Sequence, residues 1–208
     1  LIWAPVGLWA GWSVVPGWGR VEWAFIGARA VLHVVYFIVL LRGYRKADLT
    51  VVYPLARGSG PLLSSMVAIT LLGEQISALG LLGIAGVVGG VFLIAGGPGL
   101  LRAAHDPAAR QRVHKGMAYG LLTGAFIASY TVVDGYAVKF LLMSPILIDY
   151  MGNFVRVLLL APVVLRDLPT ARTLWLAQWR FALLVAVVSP VAYVLVLYAM
   201  QQAPLSHV

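Results

Sequence analysis

The sequence contains no cysteine, so it has no disulfide, no reactive thiolate and no thiolate metal site. Charge is scarce as well: 11% of the 208 residues are charged, and only seven are acidic. A soluble domain carries about 25% charged and about 45–50% apolar residues. Here 62% are hydrophobic, in runs of about 20, the length that crosses ~30 Å of hydrocarbon. HExxH, GxSxG and the P-loop pattern are all missing, so the sequence offers no handle for zinc hydrolysis, a hydrolase nucleophile or nucleotide binding. Together these features predict an all-α membrane protein, a multi-span helical bundle that is not an enzyme and needs no cofactor or metal.

What is present divides into seven apolar segments, at 1–15, 22–42, 50–72, 77–96, 116–135, 145–165 and 180–200. The first looks cut short, and "QQAPLSHV" follows the last without a stop signal, so a fragment of a longer protein is expected. Fifteen basic residues test the map. Ten fall in three alternate connections: Arg42, Arg45 and Lys46; Arg102, Arg110, Arg112 and Lys115; Arg166, Arg172 and Arg180. The opposite connections hold only Arg20 and Lys139. Basic residues accumulate in cytoplasmic loops. Loops 43–49, 97–115 and 166–180 are therefore expected in the cytoplasm, with the chain multi-pass in a plasma (bacterial inner) membrane. The net charge of +8, which in a soluble chain would suggest nucleic acid, is read as a topology signal; no nucleic-acid partner is expected.

An internal match appears at an offset of 156 residues, where Trp23, Phe25, Ala30 and Val31 meet Trp179, Phe181, Ala186 and Val187. Leu41, Ala47, Leu49 and Val52 continue it against Leu197, Ala203, Leu205 and Val208. Five spans separate the copies, an odd number, which would invert one copy in the membrane. Inverted repeats are a recurring plan of secondary transporters, with the site near the midplane between halves.

Particular segments then suggest a family. "YRKADLTVVYPLARGSGPLL", "LLGE" and "LGLLGIAGVVGGVFLIAGG" resemble the second half of an EamA domain of the drug/metabolite transporter superfamily. "GLLTGAFIASYTVVDGYAVK" is similar to the first helix of a second EamA domain, and "YAMQQAPLSHV" to its pre-proline segment. The resemblance implies two inverted five-helix repeats, of which this chain would hold the second through eighth helices, lacking the first and the last two. The domains would be 1–97 for the first repeat, 98–115 for a cytoplasmic linker and 116–208 for the second repeat. It departs from the family in one respect: the charge pattern puts the N-terminus of the missing first helix outside.

Polar residues inside the spans fall on helical periods, since positions i, i+4 and i+7 share a face. Arg29, Arg57 and Arg156 lie about seven to twelve residues from a span end, ~10–18 Å deep at ~1.5 Å per residue. Charges at that depth are costly and should face the bundle interior or water. The stripes are Arg29, His33 and Tyr36; Tyr53, Arg57 and Ser64; Tyr119, Thr123, Tyr130 and Asp134; Asp149, Asn153 and Arg156; Ser189 and Tyr193. If all face inward they line one polar chamber. The substrate-binding candidates are Arg29, His33, Tyr36, Tyr53, Arg57, Tyr130, Asn153, Arg156 and Tyr193, and the proton-coupling candidates are Asp134 and Asp149.

Each has a plainer alternative. Arg57 is either a substrate contact or a pin bonded to carbonyls freed by Pro54 and Pro61, which should bend or break their helix. Asp149 and Arg156 either serve a substrate or bracket Asn153 in a packing network. His33 and the tyrosines are equally at home as helix–helix contacts. Glu74 suits a turn residue at a helix start. Gly80, Gly83, Gly86, Gly89 and Gly90 make a packing helix and a candidate homodimer contact. The expected function is a secondary transporter that exports small metabolites by alternating access, with Asp134 and Asp149 as its candidates for proton coupling, in contact with a small-molecule substrate and the lipid bilayer. The alternative is a non-transporting membrane scaffold or chaperone.

Overall fold

Asp167 decides where the last long helix begins. Its Oδ1 accepts the backbone N–H of Thr170 at 3.1 Å, an N-cap bond. Pro169 follows in the first turn, where its missing N–H costs nothing. The region expected as loop 166–180 is therefore helical apart from Asp167, and Arg172 and Arg180 are helix residues. The cap signal "DLPT" lies upstream of the apolar run, so a boundary read from hydropathy starts too late.

The computed structural model describes residues 2–73, 77–94 and 107–203. Glu74, residues 97–106 of the expected linker and residues 204–208 lie outside the described residues. Among the described residues every regular element is helical. They are α1 (Ala4–Gly11), a 3₁₀ turn (Val15–Gly17), α2 (Arg20–Lys46), α3 (Leu49–Leu72), α4 (Ala78–Ile94), α5 (Pro107–Lys139), α6 (Pro145–Arg166) and α7 (Leu168–Gln202). Four of them, α2, α5, α6 and α7, are long and apolar enough to cross a membrane, and α4 is a shorter apolar helix. By that length and composition the chain is a membrane-embedded helical protein.

Helices take over much of the expected connections. α2 runs to Lys46, leaving Ala47 and Asp48 before α3. α5 begins at Pro107, so Arg110, Arg112 and Lys115 lie on a helical extension rather than in a linker. α3, expected to bend or break at its prolines, runs unbroken as one helix through Pro54 and Pro61. The carbonyls that those prolines leave without an i+4 donor belong to Thr50 and Arg57, both exposed residues.

The described helices form two compact units, one within Leu1–Val31 and Val133–Gln202 and the other within Leu32–Val132. In the first unit α1 lies on α6. A side chain at Gly7 would run into the Tyr150 ring, and one at Gly11 would stand 3.1 Å from Leu147. Trp3 Nε1 donates to the Ala186 carbonyl on α7 at 3.2 Å.

In the second unit the close approach is between α3 and α5. Gly116, Gly120 and Gly124 recur every four residues and face Val51, Leu55 and Ser59, which recur likewise. A Cβ on Gly120 would stand 2.7 Å from Leu55 Cβ and 3.2 Å from the Val52 carbonyl. Small residues at this spacing let helix backbones touch. The glycines that had suggested a packing helix behave differently. On α4, Gly83, Gly86, Gly89 and Gly90 have nothing within 4 Å of where a Cβ would sit. α4 instead packs through Val91, which sits against Gly58 of α3.

Candidate functional site

The buried face of α2 is made by Ile26, Arg29, Ala30, His33, Tyr36 and Leu40, an i, i+3, i+4, i+7 pattern. On α5 it is made by Thr123, Ile127, Tyr130, Asp134 and Val138. Apart from half-exposed Tyr119, the polar stripes expected on these two helices are therefore buried within the chain. The candidate residues fall into two clusters, one in each unit.

The first is ionic. Arg29 is 1% exposed and Asp134 0%. Arg29 Nε stands 2.9 Å from Asp134 Oδ2, its hydrogen-bond acceptor, and 2.8 Å from Oδ1. Oδ1 has no hydrogen-bond partner among the described residues. The other guanidinium nitrogens reach α6: Nη1 donates to the Ile148 carbonyl at 2.9 Å, and Nη2 to Asp149 Oδ1 at 3.3 Å. Tyr193 of α7 donates its hydroxyl to Asp134 Oδ2 and lays its ring beside the guanidinium, 5.1 Å from the centroid.

From Asp149 the chain of bonds continues along α6. Asn153 Nδ2 donates to Asp149 Oδ2 at 2.8 Å, and Arg156 donates to Asn153 Oδ1 and to the Gly152 carbonyl. Gly152 is required here, because any Cβ would collide with Arg29 Nη1. Two arginines thus face two aspartates, and formal charge cancels. Only Asn153, Arg156 and Tyr193 of this group are half-exposed.

The second cluster is aromatic. His33 stacks on Tyr130 with ring centroids 4.0 Å apart, and Tyr36 meets Tyr130 edge-on at 5.8 Å. All three are buried. On α3 of the same unit, Tyr53 and Arg57 are exposed, and the Arg57 guanidinium lies 5.7 Å from the Tyr53 ring centroid. Among the described residues Arg57 has no ion pair or hydrogen bond, so it does not pin the carbonyls that the prolines free. Ser59 and Ser64, also on α3, bond to their own helix carbonyls at Leu55 and Pro61. The three arginines expected deep in the spans therefore differ: Arg29 is enclosed and paired, Arg156 is partly paired and Arg57 is open.

Two features escaped the sequence reading. One is the α3–α5 glycine contact, although its four-residue spacing is visible in "GMAYGLLTG". The other is Pro190, inside α7, whose consequence is met by Trp3. Among the described residues no group of three or more His, Asp or Glu side chains is placed to hold a metal ion. No family model, curated protein or solved structure matches the chain.

Proposed function

We propose that the chain is the helical body of a secondary transporter of the EamA kind, exporting small metabolites by alternating access. The carrying observation is the Arg29–Asp134–Asp149 network, which ties α2, α5 and α6 together inside a membrane-embedded chain. Ionisable groups at such positions are costly and mark ion or substrate pathways. Protonating Asp134 or Asp149 would leave Arg29 short of a counter-charge and loosen the tie, which is how a proton would be coupled to a helix rearrangement. Asn153 and Arg156, half-exposed at the end of the network, are the substrate contacts, and a guanidinium there suits a carboxylate or phosphate. Five of the pairs matched at an offset of 156, from Trp23 with Trp179 to Leu41 with Leu197, fall on α2 and α7, both long apolar helices, which supports an inverted repeat. In this reading the basic connections face the cytoplasm.

The experiment is uptake of labelled metabolites into liposomes holding the protein, with and without a pH gradient. Gradient-driven uptake that is lost in Asp134→Asn supports the proposal. Gradient-driven uptake untouched by Asp134→Asn and Asp149→Asn removes the network from it.

One observation favours the alternative, a non-transporting scaffold. The network is neutral as it stands, and Arg29 and Asp134 are enclosed. A satisfied buried network holds helices in one arrangement without any ligand. Transport of no metabolite in any panel, from a folded protein, selects this reading.

A further inference from the structure

Basic side chains from two helices gather at one end of the second unit, and close helix packing at two glycines fixes the gathering. A Cβ on Gly43, near the end of α2, would stand 2.9 Å from Tyr119 Cβ on α5. One on Gly116 of α5 would stand 3.1 Å from Val51 and 3.4 Å from Ala47. The last turn of α2, the first turn of α3 and this part of α5 therefore share a level. Arg42, Arg45 and Lys46 flank Gly43, and Arg112 and Lys115 precede Gly116; all five are exposed. Asp48 is the single acidic residue in 42–57 and 110–119.

Arg57 belongs to the same end. Its Cα is eight residues past Leu49, about 12 Å along the axis. Its side chain leans back toward the helix start, where the guanidinium lies over Tyr53, one turn nearer the basic level. Tyr44 lies within electrostatic reach of both. The orientation rule accounts for basic residues in connections, but not for a cation inside a helix. An exposed guanidinium with no anionic partner among the described residues, held among tyrosines at the edge of an apolar zone, calls for an anion from outside. Exposed Leu41 and Leu49 border this end and offer apolar surface beside the charges. A free phosphate would leave that surface uncovered, whereas a lipid would cover it with its acyl chain.

We propose that this end of the unit is a binding site for an anionic phospholipid. Its phosphate is held by Arg57 and the basic residues of the α2 and α5 ends, with Tyr53 and Tyr44 at headgroup level. Basic clusters beside membrane helices attract anionic headgroups in this way. The site does not depend on transport.

The test is native mass spectrometry of the protein released from nanodiscs of equal phosphatidylglycerol and phosphatidylcholine. Phosphatidylglycerol adducts should dominate, and Arg57→Gln should weaken them about five-fold, the effect of one basic residue near a surface. Arg20→Gln, an exposed cation at the other end of α2, should leave them unchanged. The Arg45→Gln/Lys46→Gln double variant changes only exposed side chains, and should weaken the adducts whether or not Arg57→Gln folds. Equal retention of the two lipids, or equal loss in Arg20→Gln, overturns the site. Displacement of the lipid by soluble glycerol phosphate at a concentration matching the lipid overturns the choice of a lipid.

Discussion

The indole of Trp3 supplies the hydrogen bond that Pro190 takes away. Proline at 190 has no N–H to give to the carbonyl four residues back, and that carbonyl belongs to Ala186. Trp3 Nε1 donates to it at 3.2 Å. In hydrocarbon no water would replace that donor, and such an interior proline is tolerated where a neighbour satisfies the carbonyl.

Trp3→Phe keeps the apolar bulk and loses the donor. It should destabilise the protein by about 1–3 kcal/mol, the cost of leaving an acceptor unpaired away from water. Pro190→Ala restores the helix's own bond, so Trp3→Phe on that background should cost much less. A double-mutant cycle by reversible unfolding in micelles measures the difference. Equal costs on both backgrounds would show that the indole acts by packing alone.

Glycines on α5 and α4 give opposite predictions from the same kind of motif. Gly120→Ala places a Cβ 2.7 Å from Leu55 and 3.2 Å from a backbone carbonyl that cannot turn aside. It should destabilise by about 1–3 kcal/mol, as overpacking does. Gly86→Ala meets open space and should be neutral, or stabilising by up to about 1 kcal/mol through helix propensity. Thermal unfolding of the two variants side by side checks this. A large loss in Gly86→Ala would show that α4 packs on a second copy through this face.

Leu142 is strained by its backbone. It has φ of 51° between α5 and α6, a left-handed conformation for an exposed leucine. Such a conformation costs about 1–2 kcal/mol for a residue with a Cβ. Leu142→Gly should recover part of that and raise the unfolding temperature, because glycine adopts the region freely. A lowered temperature would mean that the leucine side chain contributes more than its backbone costs.

The faces of α2 and α5 were legible, because burial follows the helical period that Arg29, His33, Tyr36, Tyr130 and Asp134 already show. The partners were not. Arg29 and Asp134 are 105 residues apart in sequence and Arg29 and Asp149 are 120, and no local pattern relates residues at such separations. Arg29 and Arg57 look alike in sequence, each mid-span with a tyrosine on its face, yet one is enclosed by carboxylates and the other is open. Periodicity says which residues share a face; what faces them depends on tertiary packing. The start of α7 was a different failure, since Asp167 and Pro169 carried the cap signal in plain view and hydropathy masked it.

Arg29 gives the sharpest contrast between removing a charge and removing a network. Arg29→Met leaves Asp134 and Asp149 enclosed without their cation and should cost about 3–5 kcal/mol, as breaking a buried pair does. Arg29→Lys keeps the charge but not the fork that reaches Asp134, the Ile148 carbonyl and Asp149 together, so it should recover only part of the loss. The triple variant Arg29→Met/Asp134→Leu/Asp149→Leu removes the desolvated charges with their partner. It should approach wild-type stability, because well-packed apolar residues often replace a buried ion cluster at no net cost. Arg156 would then lose its distant counter-charge, but it is half-exposed and bonded to Asn153, so the penalty there should be small. Chemical unfolding of the three variants decides the matter. If the triple variant is the least stable of them, the network contributes net stability, and transport data on it would report folding rather than mechanism.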